Sequence, residues 1–86
     1  MRLARTDRFK RAYNNLTGEE KRRAEKALRL LMNDMSHPSL RVKRVRKTKQ
    51  IWEATVSMRI RMTFELQEDV IILRNIGGHD KIIDSP

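Results

Sequence analysis

The chain has no cysteine. Disulfides, thiolate metal sites and a cysteine nucleophile are therefore excluded, and the composition gives no sign of secretion. Histidine is almost as scarce. His37 and His79 stand far apart, with no His-x-x-His or Glu-x-x-His spacing that would hold a metal. Only two prolines and three glycines occur, and no segment is repetitive or of low complexity. No apolar run approaches the ~20 residues that a spanning helix needs. The N-terminus lacks the apolar core of a secretory signal. No P-loop, GxGxxG, Ser/His/Asp set or HExxH is present. The expected compartment is the cytoplasm.

What is present is positive charge, unevenly placed. The 86 residues carry 20 basic and 11 acidic side chains, a net +9. Residues 1–49 are net +11 and residues 50–86 net −2. Arg41 to Lys49 reads RVKRVRKTK, with six cations and no acid. Such polarity suits a polyanion on one side and a different partner on the other. Nucleic acid is the favoured polyanion. An anionic membrane fits less well, because the basic helix lacks a bulky aromatic face.

The length bounds one domain, residues 1–86, with one core. Met1 to Arg5 can form a brief strand. Thr6-Asp7 reads as a helix start, followed by a stripe of Phe9, Ala12, Tyr13 and Leu16 at 3–4 spacing. Thr17-Gly18-Glu19-Glu20 reads as a capping box. The helix it opens has Ala24, Ala27, Leu28, Leu31, Met32 and Met35 on one face, with Lys21, Arg22, Arg23, Lys26 and Arg29 outside it. Pro38 ends the helical region, and His37 is read as a loop residue without chemistry.

The remainder reads as antiparallel strands. Ile51 to Val56 is one, Arg59 to Leu66 the next, with Ser57-Met58 as the turn between them. Ile60, Met62, Phe64 and Leu66 alternate with Arg59, Arg61, Thr63 and Glu65, which fits one buried and one open face. Gln67-Glu68-Asp69 is a second turn. Val70 to Ile76 is a nearly continuous apolar strand, broken only at Arg74 and Asn75. Gly77-Gly78 is expected to end the sheet and deliver His79-Asp80, and the last few residues are expected to be disordered. The fold class is α+β: a short N-terminal strand and a helical hairpin on one face of a small antiparallel sheet. The basic tract lies along the sheet edge.

Several residues could carry chemistry. Arg59 and Arg61, two apart on one strand face, would stand about 7 Å apart and could bracket phosphates or stabilise a phosphorane. An ordinary solvated strand position is the alternative. His79 could act as a general acid on a departing 5′-oxygen, or be a plain turn residue. Asp80 could orient it or cap the tail. Trp52 could stack on a base, although a mid-strand tryptophan is more often core. Glu53, pointing opposite to Trp52, could be a base but more often such a residue is a salt-bridge partner. The five methionines read as core filling or chain start.

These residues, taken in order, resemble a toxin of the RelE/ParE superfamily of bacterial type II toxin–antitoxin systems. The resemblance covers nearly the whole chain. Ile51-Trp52 through Arg59-Ile60-Arg61-Met62-Thr63-Phe64 is similar to the family's hairpin, and Gly77-Gly78-His79-Asp80 resembles the ending of the RNA-cleaving branch. The favoured RelE-like branch implies a metal-independent endoribonuclease, an mRNA interferase that cuts ribosome-bound mRNA and is inhibited by a cognate antitoxin protein. No cofactor is implied, because the nucleophile belongs to the substrate. By this resemblance Arg61 and His79 are catalytic, and Lys43, Arg44, Arg46 and Lys47 contact ribosomal RNA, with Arg59 assisting Arg61. The chain departs from the family where Ile82 and Ile83 follow His79 without an aromatic residue. Trp52 and Ala54 also replace a lysine pair, and no carboxylate clearly matches a general base. The alternative is a ParE-like toxin that is not a nuclease and poisons DNA gyrase through protein contacts.

Overall fold

Thr6 opens the first helix as its residue type suggests: its side chain accepts from the Phe9 amide at 3.1 Å. The computed structural model describes residues 1–86. Strand β1 (Arg2–Arg5) leads into helix α1 (Asp7–Asn14), and α2 (Gly18–Asn33) follows. The capping box at its start is complete: Glu20 N donates to Thr17 Oγ1, and Thr17 N donates to Glu20 Oε1. Pro38–Leu40 forms one 3-10 turn, and His37 caps it by accepting from the Ser39 amide at 3.2 Å. His37 thus has a structural task. Strands β2 (Lys43–Arg44), β3 (Ile51–Thr55), β4 (Ile60–Gln67) and β5 (Val70–Gly78) follow, and helix α3 (His79–Asp84) closes the chain.

The sheet order is β1-β5-β4-β3-β2. Strands β2 to β5 form an antiparallel meander, and β1 joins its far edge parallel to β5. Phe9, Ala24, Leu28 and Leu31 of the helices meet Ala54, Met62, Phe64, Leu73 and Ile76 in one buried cluster. Each large side chain buried there contributes about 1.5–3 kcal/mol. The sheet supplies the cover that two helices could not give each other.

Arg74 and Asn75, which interrupt the last apolar run, form a β-bulge. Thr63 pairs with Asn75 and Phe64 with Leu73, so Arg74 has no partner across the ladder. The extra residue lets Leu73 and Ile76, three apart, both face the helices. Arg74 then pairs with Glu65 on the opposite sheet face.

Three expectations change here. Gly77 and Gly78 do not break the sheet: they pair with Arg61 and Ile60 as the last residues of β5, and His79 follows directly at the strand end. A Cβ on Gly77 would come within 3.3 Å of the Lys81 side chain, so the small residue lets α3 fold back over the strand. The second sheet face is not left open either, because α3 packs against β4 and β5 and buries Ile82. The last residues are docked rather than loose. The Pro86 carbonyl accepts from Thr63 Oγ1 at 3.2 Å and Arg74 Nε at 3.3 Å, and the Ser85 carbonyl accepts from Asn75 Nδ2 at 2.9 Å.

Asn75 is 1% exposed, and its Oδ1 also accepts from the Ile76 amide at 2.9 Å. Asn75→Ala should remove both bonds and cost about 1–3 kcal/mol. In a domain this small that lowers Tm by roughly 5–20 °C. Thermal unfolding followed by circular dichroism reads it, and an unchanged Tm would mean the tail is not fixed there.

Tyr13 lies between the helices and donates to Glu25 Oε1 at 3.0 Å. Burial, then that hydrogen bond and the Glu25 charge, raise its pKa, and Arg5 opposes them. The bond requires a protonated phenol. Its stabilisation is complete below the ordinary phenol pKa and is lost as pH climbs through the raised one.

Candidate nucleic-acid interface

Strand parity decides which side chains meet on the second face of the sheet. Ala54 faces the helices, as does half-buried Trp52 in part, so Glu53 between them must face the other way. Its cross-strand neighbours are Lys43 on β2 and Thr63 on β4. Lys43 Nζ lies 3.6 Å from Glu53 Oε2. The two partners differ in environment: the Lys43 side chain is 69% exposed and that of Glu53 only 9%. Because the lysine is in water, the pair adds little to stability. The carboxylate is held in place by burial and register.

The basic tract builds the wall beside it. Lys43-Arg44 adds a two-residue edge strand, and Arg46-Lys47 turns the chain back. Thr48 closes that turn by donating from both its amide and its hydroxyl to the Val45 carbonyl, at 3.2 and 2.8 Å. Lys47 takes a left-handed φ of 66° at the turn. Helix α3 supplies the facing wall. A cleft of ≈ 640 Å³ results, lined by Lys43, Arg44, Val45, Arg46, Lys47, Glu53, His79, Ile82 and Ile83. A row of cations, a buried carboxylate, an exposed histidine and an aliphatic patch therefore share one space. This set can bind a phosphate chain and can move protons beside it.

Of the seven residues singled out from sequence, Lys43, Arg44, Arg46, Lys47 and His79 come together in this cleft, and Arg59 and Arg61 do not line it. Arg59 is exposed in the bend before β4, so the expected pair of arginines along one strand does not form. Arg61 is on β4 and on the same sheet face as Thr63 and Glu53. Its guanidinium turns back to the β3–β4 connection, where Nη1 donates to the carbonyls of Ser57, Met58 and Ile60. Trp52 is half-buried, and the Arg44 guanidinium lies 5.2 Å from its ring centroid. Its ring is thus a seat for Arg44 rather than a free platform for a base. Glu53, read from the sequence as a salt-bridge partner more often than a base, does pair with Lys43, and its parity opposite Trp52 already placed it on this face.

No group of three or more His, Cys, Asp or Glu side chains is placed to hold a metal ion. No helix is long and apolar enough to cross a membrane.

No family model matches the chain, and no curated protein matches it in sequence. Solved structures do match in shape. YafQ from E. coli strain BL21(DE3) superposes with a TM-score of 0.79 at 13% identity, over 93% of this chain and 94% of that one. The RelB–RelE antitoxin–toxin complex from Methanococcus jannaschii contains a chain that matches with a TM-score of 0.76 at 18% identity, over 96% of this chain and 99% of that one. The E. coli DinJ–YafQ toxin–antitoxin complex gives 0.78 at 12% identity, over 93% of each chain. At these identities the likeness is one of fold. The chain has the RelE-like α+β fold, spanning the matched chains almost end to end.

Proposed function

We propose that this chain, built on the RelE-type fold, is the toxin of a type II toxin–antitoxin pair and stops translation by cutting ribosome-bound mRNA. The observation that carries the reading is the cleft itself: the cations Lys43, Arg44, Arg46 and Lys47, His79 and the buried carboxylate of Glu53 line one space. Cations hold the RNA backbone, and the two titratable groups handle the protons.

The reaction is an internal transfer. The ribose 2′-oxygen attacks the adjacent phosphorus while Glu53 accepts the 2′-hydroxyl proton. The 5′-oxygen leaves as His79 donates its proton. The products are a 2′,3′-cyclic phosphate and a 5′-hydroxyl, and no cofactor enters. Arg61 stabilises the phosphorane charge after exchanging the turn carbonyls for the substrate, and exposed Arg59 adds to the field. Ile82 and Ile83 offer the RNA an aliphatic surface in place of an aromatic one.

The partner set follows from charge and from the relatives. RelE and YafQ are found in complexes with RelB and DinJ. A net +9 suits a cognate antitoxin of acidic character and an RNA-rich target, the ribosome. Both reside in the cytoplasm.

Binding through the tract has its own test. Four phosphate contacts give a log–log salt slope near −3, at about 0.7–0.9 counterion each. Replacing Lys43, Arg44, Arg46 and Lys47 with Gln should flatten that slope and weaken ribosome binding on the order of 10²-fold at low salt. The fold should survive, because exposed charges contribute little. An unchanged slope between about 50 and 300 mM salt would place the RNA contacts elsewhere. For the activity, a cell-free translation system is decisive against the topoisomerase alternative. Undiminished protein synthesis, alongside DNA damage in cells, would overturn the nuclease reading.

A further inference from the structure

The side chain of Lys81 runs where a merely solvated lysine has no need to run. Gly77 pairs with Arg61 across the β4–β5 ladder, so a side chain at 77 would point to the same sheet face as Arg61, the face that α3 covers. A Cβ built there would stand 3.3 Å from the Cδ of Lys81 and 4.0 Å from its Cε. The Lys81 stem therefore lies over the Gly77 backbone, and Gly77 is buried although it has no side chain of its own. Directly opposed strand residues have Cβ positions about 4.5–5.5 Å apart. The lysine stem thus passes beside the root of the Arg61 side chain.

The charge that this stem carries is unclaimed by the fold. Lys81 is exposed and takes part in none of the molecule's ion pairs. Asp84 stands three residues on, an ordinary spacing for a helix partner, and Asp80 is its neighbour in sequence, yet neither pairs with it. Side chains of a helix lean toward its N-terminus. Lys81 is in the first turn of α3, so it leans toward His79 and the end of β5. The Arg61 guanidinium is at that same end of the sheet, on the Ser57, Met58 and Ile60 carbonyls. Two cations and a histidine are thus gathered where β4 begins and β5 ends. The fold gains nothing from setting a second cation beside Arg61, whereas a bound phosphate gains from both.

We propose that Lys81 is a further catalytic residue: its ammonium, carried over Gly77, grips the non-bridging oxygens of the RNA phosphate that Arg61 engages, beside the oxygen that His79 protonates. This rests on the RNA-cleaving reading above and extends it to a residue of α3. Lys81 makes and breaks no covalent bond. It shares the phosphorane charge with Arg61, the role that spacing suggested for Arg59, which lies outside the strand. Gly77 is part of the device, because a larger residue there would lift the lysine stem off the strand.

The test is single-turnover cleavage with programmed ribosomes by Lys81→Met, Lys81→Arg, Gly77→Ala and the Lys81→Met, Gly77→Ala pair, with His79→Ala as the reference. Lys81→Met keeps a stem and removes the charge. It should cleave on the order of 10²-fold more slowly, as when one donor to a developing oxyanion is lost. Its ribosome-binding salt slope should fall by no more than one contact, about 0.7–0.9, so the loss is in rate more than in affinity. Its Tm should stay within about a degree or two of wild type, because the residue is exposed. Lys81→Arg, which keeps the charge, should keep most of the rate. Gly77→Ala should displace the stem by a few tenths of an ångström and lower the rate by on the order of tenfold. With Met at 81 the change at Gly77 should add little, because it acts through the same side chain. If Lys81→Met cleaves normally while His79→Ala does not, the nuclease reading stands and this inference is overturned. If neither variant slows cleavage, both fail. A fall in Tm of about 10 °C in Lys81→Met would assign the lysine to the fold and overturn the inference. So would equal losses in Lys81→Arg and Lys81→Met, which would make the requirement one of shape and not of charge.

Discussion

His79→Ala is expected to lower the rate of mRNA cleavage by about 10²–10⁴-fold, the usual contribution of a positioned proton donor. Tm should stay within a degree or two, since His79 is exposed and its side chain makes no hydrogen bond to the rest of the chain. Glu53→Gln should fall in the same range. The carboxamide keeps the shape of the side chain but cannot accept the 2′-hydroxyl proton. The pair Glu53→Gln, His79→Ala should be little worse than the more damaging single change, because groups that act on one transition state are not additive. Single-turnover cleavage by the purified protein with programmed ribosomes measures all three. Full activity in His79→Ala would remove the histidine from the mechanism, and strictly multiplicative losses would mean the two residues do not act in one step.

Arg61→Ala is expected to cost about 10²–10³-fold in cleavage, the usual loss when one donor to a developing oxyanion is removed. The free protein gives this residue a second occupation. Its guanidinium donates to the Ser57, Met58 and Ile60 carbonyls. Those carbonyls lie at the surface end of β4 and the connection before it, where Met58 is fully in water, so stability should change by only about 1 kcal/mol. A variant that loses several degrees in Tm while cleaving normally would make Arg61 a clasp for the turn and nothing more. Ribosome affinity separates the outcomes further. A charge that acts only in the transition state lowers the rate and leaves binding intact.

The helical half of the fold was legible because local chemistry governs it. Thr6 and Thr17 cap, the stripes at 3–4 spacing bury, and Pro38 stops the chain. These signals are local in sequence, although the sheet supplies what the stripes bury against. The sheet was legible in its strands and less so at its edges and ends. Lys43-Arg44 forms a strand of two residues whose only signal is pairing with Trp52 and Glu53, and pairing is a tertiary fact. Arg74 and Asn75 looked like an interruption of a strand. Their true signature was the shift in parity between Leu73 and Ile76, which a bulge alone can reconcile. Gly77-Gly78 suggested a break because glycine usually punctuates a strand. Here it remains in the ladder and makes room for Lys81. Helix α3 is six residues long, too short for periodicity to reveal, and its docking depends on polar groups of β4 and β5 that bind the chain end.

The site was half legible for the same reason. The tract and His79 carry charge and chemistry on their surface, and residue type alone pointed to them. That they converge depends on β2 pairing with β3 and on α3 folding back, neither of which has a local signal. Arg59 and Arg61 illustrate the converse. Their spacing suggested a bracket for phosphates, but the strand begins at Ile60, so Arg59 falls outside it and Arg61 turns back to the connection. Glu53 needed only parity and burial to be found, and burial became visible once the second face had a cover.

The most direct test of the account is to add the wild-type protein to a reconstituted translation system and map both ends of the message that results. The account predicts cuts only on ribosome-bound mRNA, leaving a 2′,3′-cyclic phosphate upstream and a 5′-hydroxyl downstream. An intact message under translation arrest, or cuts that leave a 5′-phosphate, would contradict it.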